Sequence, residues 1–164
     1  LLKKGERMNE KLITPIGTIK FPEFDDDKWT VALSFDPKIS SEFIDKITTL
    51  SEQVGTKTSF KDDSEKNEKG EYVTNGNLLI NINSKFDFPC FDSTGRKLDI
   101  KRENIGWGSK VSASLVLKEV TYKKKQYMSK YVAGMVIHEL KSKNEDAKSL
   151  GFTFENDDYV KNYE

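Results

Sequence analysis

What most constrains this chain is a two-residue alternation of apolar and polar side chains that recurs in one run after another. From Lys28 to Phe35, the residues Trp29, Val31, Leu33 and Phe35 alternate with Lys28, Thr30, Ala32 and Ser34. Successive side chains of a strand point to opposite faces, so this spacing predicts strands that turn one face to a core. The pattern returns from Leu78 to Phe88, where Leu78, Ile80, Ile82, Phe86 and Phe88 make the apolar side. It returns again from Lys110 to Lys118, where Val111, Ala113, Leu115 and Leu117 do so. A fourth run, Tyr131 to Leu140, is apolar on both faces for much of its length, and Ile13 to Phe21 makes a further strand interrupted by Pro15 and Gly17.

One segment breaks the rhythm. Ile39, Phe43, Ile44, Ile47, Leu50 and Val54 recur at helical spacing and predict an amphipathic helix. Asp36 is the expected cap, Pro37 the first helical residue and Gly55 the stop. The following stretch, Thr56 to Gly76, is rich in Lys, Asp, Glu, Ser, Asn and Gly and is expected to form a mobile loop. About five strands with one inserted helix, and no alternating βαβα units, point to a mainly β fold, a small closed or partly open barrel.

With 164 residues and 35% hydrophobic content the chain suits one cored domain rather than two. The formal net charge is +0, but it is unevenly placed: 25 basic and 21 acidic residues through Asn144, then 2 basic and 6 acidic from Glu145 on. The expected division is therefore a mildly basic body, 1–144, and a short acidic tail, 145–164. Cys90 is the only cysteine, so no intrachain disulfide can form, and a reducing cytoplasmic compartment (the host's, if the chain is viral) is expected. No apolar run approaches the ~20 residues of a membrane span, and no membrane partner is expected.

Reactive groups are scarce. His138 is the only histidine, so a site with two histidine ligands cannot be built. Neither a phosphate-binding Gly-Lys-Ser/Thr loop nor a dinucleotide fingerprint is present. The trio Asp25, Asp26 and Asp27 either holds a divalent cation or is a solvated loop, and the loop reading is favoured because no ligand partner sits at suitable spacing. No enzyme activity, metal or cofactor is expected.

Cations interleaved with aromatics say more. Tyr122, Lys123, Lys124, Lys125 and Tyr127 form the expected tip of a hairpin. Lysines neutralise phosphates and flat rings stack on unpaired bases, a combination suited to single strands; lysines also keep an exposed edge soluble. Lys20, Phe21 and Phe24 make a second cluster, and Arg96, Lys97, Lys101 and Arg102 a third. Trp107, between two glycines, either offers its indole for stacking or plugs the barrel end. Lys85, Lys110 and Lys118 fall on polar strand faces and would line one wall of a groove.

The stretch from Phe91 through Asp92, Ser93, Thr94, Gly95, Arg96 and Lys97 to Leu98, followed by Ile105, Gly106, Trp107, Gly108, Ser109, Lys110 and Val111, resembles the T7-like phage single-stranded-DNA-binding protein family. The order of the surrounding elements, over roughly residues 16–140, is similar too. The resemblance implies an OB-fold, that is, an OB-fold-like barrel with one inserted helix, and binding of single-stranded DNA without strong sequence preference in phage replication and recombination. It implies that Lys110 and Tyr122, with Lys85 a looser match, contact DNA. It also implies an acidic tail that dimerises the free protein and meets the phage DNA polymerase and helicase. The charge-balanced segment Thr56 to Gly76 and the modestly acidic tail depart from the family pattern. An alternative expectation is an OB-like protein-interaction adaptor whose lysines serve only solubility; another is a nuclease using the Asp25–Asp27 trio with a metal.

Overall fold

Alternating patterns become strands where they can pair, and a computed structural model of the chain describes residues 9–56 and 60–141. In chain order the elements are β1 (Asn9–Ile13), β2 (Gly17–Asp25), β3 (Lys28–Phe35), helix α1 (Ser41–Val54), β4 (Lys61–Lys66), β5 (Tyr72–Ser84), β6 (Cys90–Asp92), β7 (Lys97–Leu98), β8 (Lys110–Tyr122) and β9 (Lys125–Glu139). A single 3-10 turn, Arg102–Asn104, precedes β8.

Five of the strands close on themselves. β2 pairs with β3, β3 with β5, β5 with β9, β9 with β8, and β8 returns to β2, with β5 and β9 the parallel neighbours. This closed five-stranded ring with one helix is an OB-fold-like barrel. β1 extends the sheet beyond β8, β4 pairs with β5, and the short hairpin β6–β7 lies against β9.

The apolar halves of the alternating runs fill the interior. Trp29, Val31, Leu33 and Phe35 of β3 meet Ile80 and Ile82 of β5, the four apolar residues of β8, and Val132, Met135 and Ile137 of β9. The helix closes one end: Phe43, Ile47, Leu50 and Val54 are buried, and the Phe43 ring lies 5.0 Å from that of Phe35. Gly17 is needed where β2 begins, because a Cβ there would sit 2.7 Å from Phe35 Cε1. Gly55 stops the helix in the left-handed conformation, at φ 85°.

Several expectations change. The helix starts at Ser41, not Ile39: Asp36 accepts the Lys38 N–H through its side chain, and its carbonyl accepts those of Ile39 and Ser40, so Pro37 belongs to the preceding turn. Ile13 to Phe21 is two strands rather than one, and the connection through Pro15 moves the chain from one neighbour of β8 to another. The segment read as a mobile loop contains β4 and the start of β5, two antiparallel strands joined at Asn67–Gly70. β5 ends at Ser84, which leaves Phe86 outside the strand that its spacing would extend. The expected boundary at 144/145 and the acidic tail lie outside the described residues. Among the described residues, no helix is long and apolar enough to cross a membrane.

Candidate nucleic-acid interface

With the interior filled, chemistry is left to the outer wall, and strand parity decides which side chains reach it. Along β8 the residues Val111, Ala113, Leu115 and Leu117 are buried, so Lys110, Lys118 and Tyr122 share the opposite face. Lys110 Nζ donates to Thr18 Oγ1 at 3.0 Å, which ties that ammonium to the β2 side of the barrel.

The parallel bridge between Asn83 and Tyr131 closes the barrel and brings the end of β5 beside β9. Just past this bridge Lys85 and Phe86 face Lys118 and Tyr131 across a cleft of about 340 Å3, whose lining also includes Phe88, Val116 and Val132. Phe86 is 82% exposed. Two cations, three rings and the Asp87 carboxylate thus border one apolar trough, whose ammonium groups can hold phosphates at its rim and whose rings can hold bases along its walls. Carboxylates stand next to it, since Asp25, Asp26 and Asp27 share an adjoining recess with Lys28, Lys85 and Phe86.

A second aromatic feature sits on β2. Pro22 has no N–H to donate, and the pairing of β2 with β3 lapses between Lys20 and Glu23 in a bulge. Phe21 in this bulge takes φ 52°, a costly conformation for a bulky residue. Its ring packs edge-on to Trp107, with centroids 4.5 Å apart, and the two are 52% and 46% exposed. Trp107 therefore does not plug the barrel. Its loop is bolted down on both sides: Gly108 N–H donates to Ile19 O, and Gly106 N–H to Lys141 O.

The β8–β9 hairpin carries the third feature. Lys123 and Lys124 form its two-residue tip at φ 50° and 65°, the mirror-image turn that usually takes Asn-Gly. Lys123 Nζ stands 5.3 Å from the centre of the Tyr122 ring. Tyr122 and Tyr127 are both exposed, and Lys124, Lys125 and Tyr127 line a cleft that reaches the C-terminal end of α1 at Gly55.

Two of the cations singled out in the sequence are engaged internally. Lys20 Nζ is 2.7 Å from Asp63 Oδ2 and 3.8 Å from Glu65 Oε1, and it is largely buried. Arg102 is also buried; it donates to the Ser84 carbonyl and hydroxyl and to the Asp27 carbonyl, and its guanidinium lies 5.4 Å from the centre of the Phe24 ring. Lys20 is thus withdrawn from any groove, and one face of Phe24 is occupied. Phe86 and Tyr131 were missed in the sequence because each continues an apolar pattern; only the strand end at Ser84 and the parallel pairing turn them outward.

The remaining reactive groups have other roles. Cys90 is buried, and burial pushes its thiol up to about 11, so it is no nucleophile at neutral pH. His138 is exposed, with Nε2 3.0 Å from Ser112 Oγ. Among the described residues, no group of three or more His, Cys, Asp or Glu side chains converges on a metal position.

No protein-family model and no curated protein matches this sequence. Solved structures do match its fold, among them single-stranded-DNA-binding proteins of phages. One is gp2.5 of bacteriophage T7, aligned over 96% of this chain and 96% of that chain with a TM-score of 0.58 at 14% identity. The protein from bacteriophage Enc34 aligns over 94% of this chain and 90% of its own, with a TM-score of 0.57 at 13% identity. A structure of the Enc34 protein in complex with single-stranded DNA aligns over 80% of this chain and 87% of that chain, with a TM-score of 0.53 at 14% identity.

Proposed function

We propose that this chain is a non-enzymatic single-stranded-DNA-binding protein of the T7-like phage family, which coats unpaired strands without strong sequence preference. The observation that carries the reading is the cleft where Lys85 and Lys118 stand with Phe86 and Tyr131 on the outer wall of an OB-fold-like barrel. Ammonium groups there neutralise phosphates and release counterions, while the rings offer stacking worth ~1–3 kcal/mol per base. Duplex DNA keeps its base faces stacked internally, so a surface that gains energy from rings prefers single strands. Lys110, Lys123, Lys124 and Lys125 extend the cationic surface, and Tyr122 and Tyr127 extend the aromatic one. The fold likeness to phage proteins that bind single-stranded DNA supports the reading.

The wider role follows from this activity: protection of single strands during phage replication and recombination in the host cytoplasm. The acidic residues after Glu145, interspersed with Phe152, Phe154 and Tyr159, suit a tail that competes with DNA, mediates a homodimer and is drawn off by the phage polymerase or helicase. Truncation before Glu145 is then expected to tighten DNA binding; unchanged affinity would remove the competing tail. The main test is titration of labelled oligo-dT and of a duplex of equal length at low and moderate salt. Single strands are expected to bind more tightly, with affinity falling steeply as salt rises. Equal affinity for duplex, or no binding of either, would overturn the proposal and leave the adaptor as the reading.

A further inference from the structure

Away from the Lys85–Tyr131 cleft, the outer wall of β2, β3, β5 and β4 carries a second recess, lined by Phe21, Ala32, Lys61, Leu79 and Asn81. Its volume is about 190 Å3, below the ~300–1,000 Å3 of sites that enclose a drug-sized molecule and suited to a single flat ring.

The recess is built by specific departures from regular sheet. The bulge in β2 lets both Lys20 and Phe21 face outward, although they are neighbours in sequence: Lys20 reaches Asp63 and Phe21 lines the recess. Phe21 is held at a left-handed φ, braced edge-on by Trp107. Strain of this kind at an exposed bulky residue persists only when the surroundings impose it. Ala32 and Leu79 provide apolar lining, and Asn81 presents an exposed amide that has no hydrogen-bond partner among the described residues.

Cations flank the recess. Register places Thr18, Ser34, Leu79 and Lys61 in one row across β2, β3, β5 and β4. At ~4.8 Å per strand the row spans about 14 Å. Lys110 is hydrogen-bonded to Thr18 at one end, and Lys61, exposed and without an ion pair among the described residues, stands at the other.

We infer that this recess is a subsite for one unpaired nucleobase, which stacks against Phe21 and hydrogen-bonds Asn81, with Lys61 and Lys110 on the phosphates to either side. The inference rests on the proposed single-strand binding and adds a second point of base capture to it. An Asn amide offers both a donor and an acceptor, so the subsite accepts any base edge and adds affinity without sequence preference.

The test compares oligo-dT with an abasic oligonucleotide of the same length, which keeps the phosphates and lacks the bases. Phe21→Ala is expected to weaken oligo-dT binding about 5- to 150-fold, to leave abasic binding unchanged, and to keep the salt slope. Phe21→Tyr should restore the wild-type affinity. Lys61→Ala is expected to lower the log–log salt slope by ~0.7 on both ligands. If Phe21→Ala fails to fold, Asn81→Asp decides instead: it puts a carboxylate at the mouth of the recess without touching the core, and should weaken oligo-dT binding at least fivefold. Wild-type binding of oligo-dT that none of these variants alters would overturn the subsite and leave single-strand binding standing. Failure of the wild-type chain to bind oligo-dT at all would overturn both.

Discussion

The Lys20 ammonium lies 2.7 Å from the Asp63 carboxylate, and this buried pair fastens β4 across the outer wall of the barrel. Ser34 Oγ and Asn75 Nδ2 donate to the same Asp63 oxygen, at 2.8 and 2.9 Å, so four strands meet at one carboxylate. Asp63 is 1% exposed.

That arrangement makes stability depend on acid. Burial pushes the Asp63 carboxyl up, but hydrogen bonds from Lys20, Asn75 and Ser34, together with the Lys20 charge, outweigh it and hold the group below the usual carboxylate value. A depressed folded-state value means that the contribution is complete above the unfolded carboxyl pKa of ~3.9 and is lost as pH falls through the lower folded value. Thermal melts should show this step in the wild type and lack it in Asp63→Asn. Asp63→Ala strands a buried cation and should cost about 3 kcal/mol at neutral pH, the lower end for a broken buried pair, because Glu65 remains 3.8 Å from Lys20. A melt unchanged by Asp63→Ala would show the pair to be energetically idle.

The hairpin tip separates charge from fold. Lys123 and Lys124 occupy left-handed positions that Asn and Gly prefer, so Lys123→Asn with Lys124→Gly should keep or raise the melting temperature. The same double variant removes two ammonium groups and should lower the salt slope of single-strand binding by ~0.7 for each phosphate that the tip no longer neutralises. An unchanged slope would take the tip out of the DNA-binding surface.

The Asp25–Asp27 trio borders Lys85 and Phe86 and opposes an approaching phosphate. Replacing all three with Asn should tighten single-strand binding about threefold at ~10 mM salt, where the Debye length is ~30 Å, and the gain should fade as salt rises. Weaker binding in the variant would mean that the carboxylates assist rather than oppose the ligand.

Cys90 offers a probe of opening. Burial, with a thiol pushed up to about 11, should make it resist alkylation in the folded state. Its labelling rate at neutral pH should therefore follow unfolding and rise with denaturant. Prompt labelling in native buffer would show that β6 opens locally.

Local pattern carried much of the architecture. Trp29, Val31, Leu33 and Phe35 declare their strand and its inner face because alternation is a property of neighbours, and Phe43, Ile47, Leu50 and Val54 declare the helix in the same way. The pairing of lysines with tyrosines at the hairpin was equally readable, since Tyr122 to Tyr127 are adjacent in the chain. The strand β4 was not: Lys61–Lys66 has no apolar side chain, and its order depends on partners 43, 29 and 12 residues away from Asp63.

Hydrophobic burial acts through patterns only a few residues long, so the order of residues alone settled most of the side chains that fill the core, Phe86 and Ile39 excepted, and that a mainly β barrel with one helix would enclose them. Which charges and rings stay on the surface was settled later, by packing between distant segments. Packing buried Lys20 and Arg102, exposed Phe86, and set Phe21 against Trp107, 86 positions along the chain. The Lys20 and Arg102 charges are buried because partners from distant segments converge on them, and the Phe21 and Phe86 rings stay exposed where a bulge and a strand end withhold a neighbour. Chain closure fixes both, and neither is written in any local window of residues.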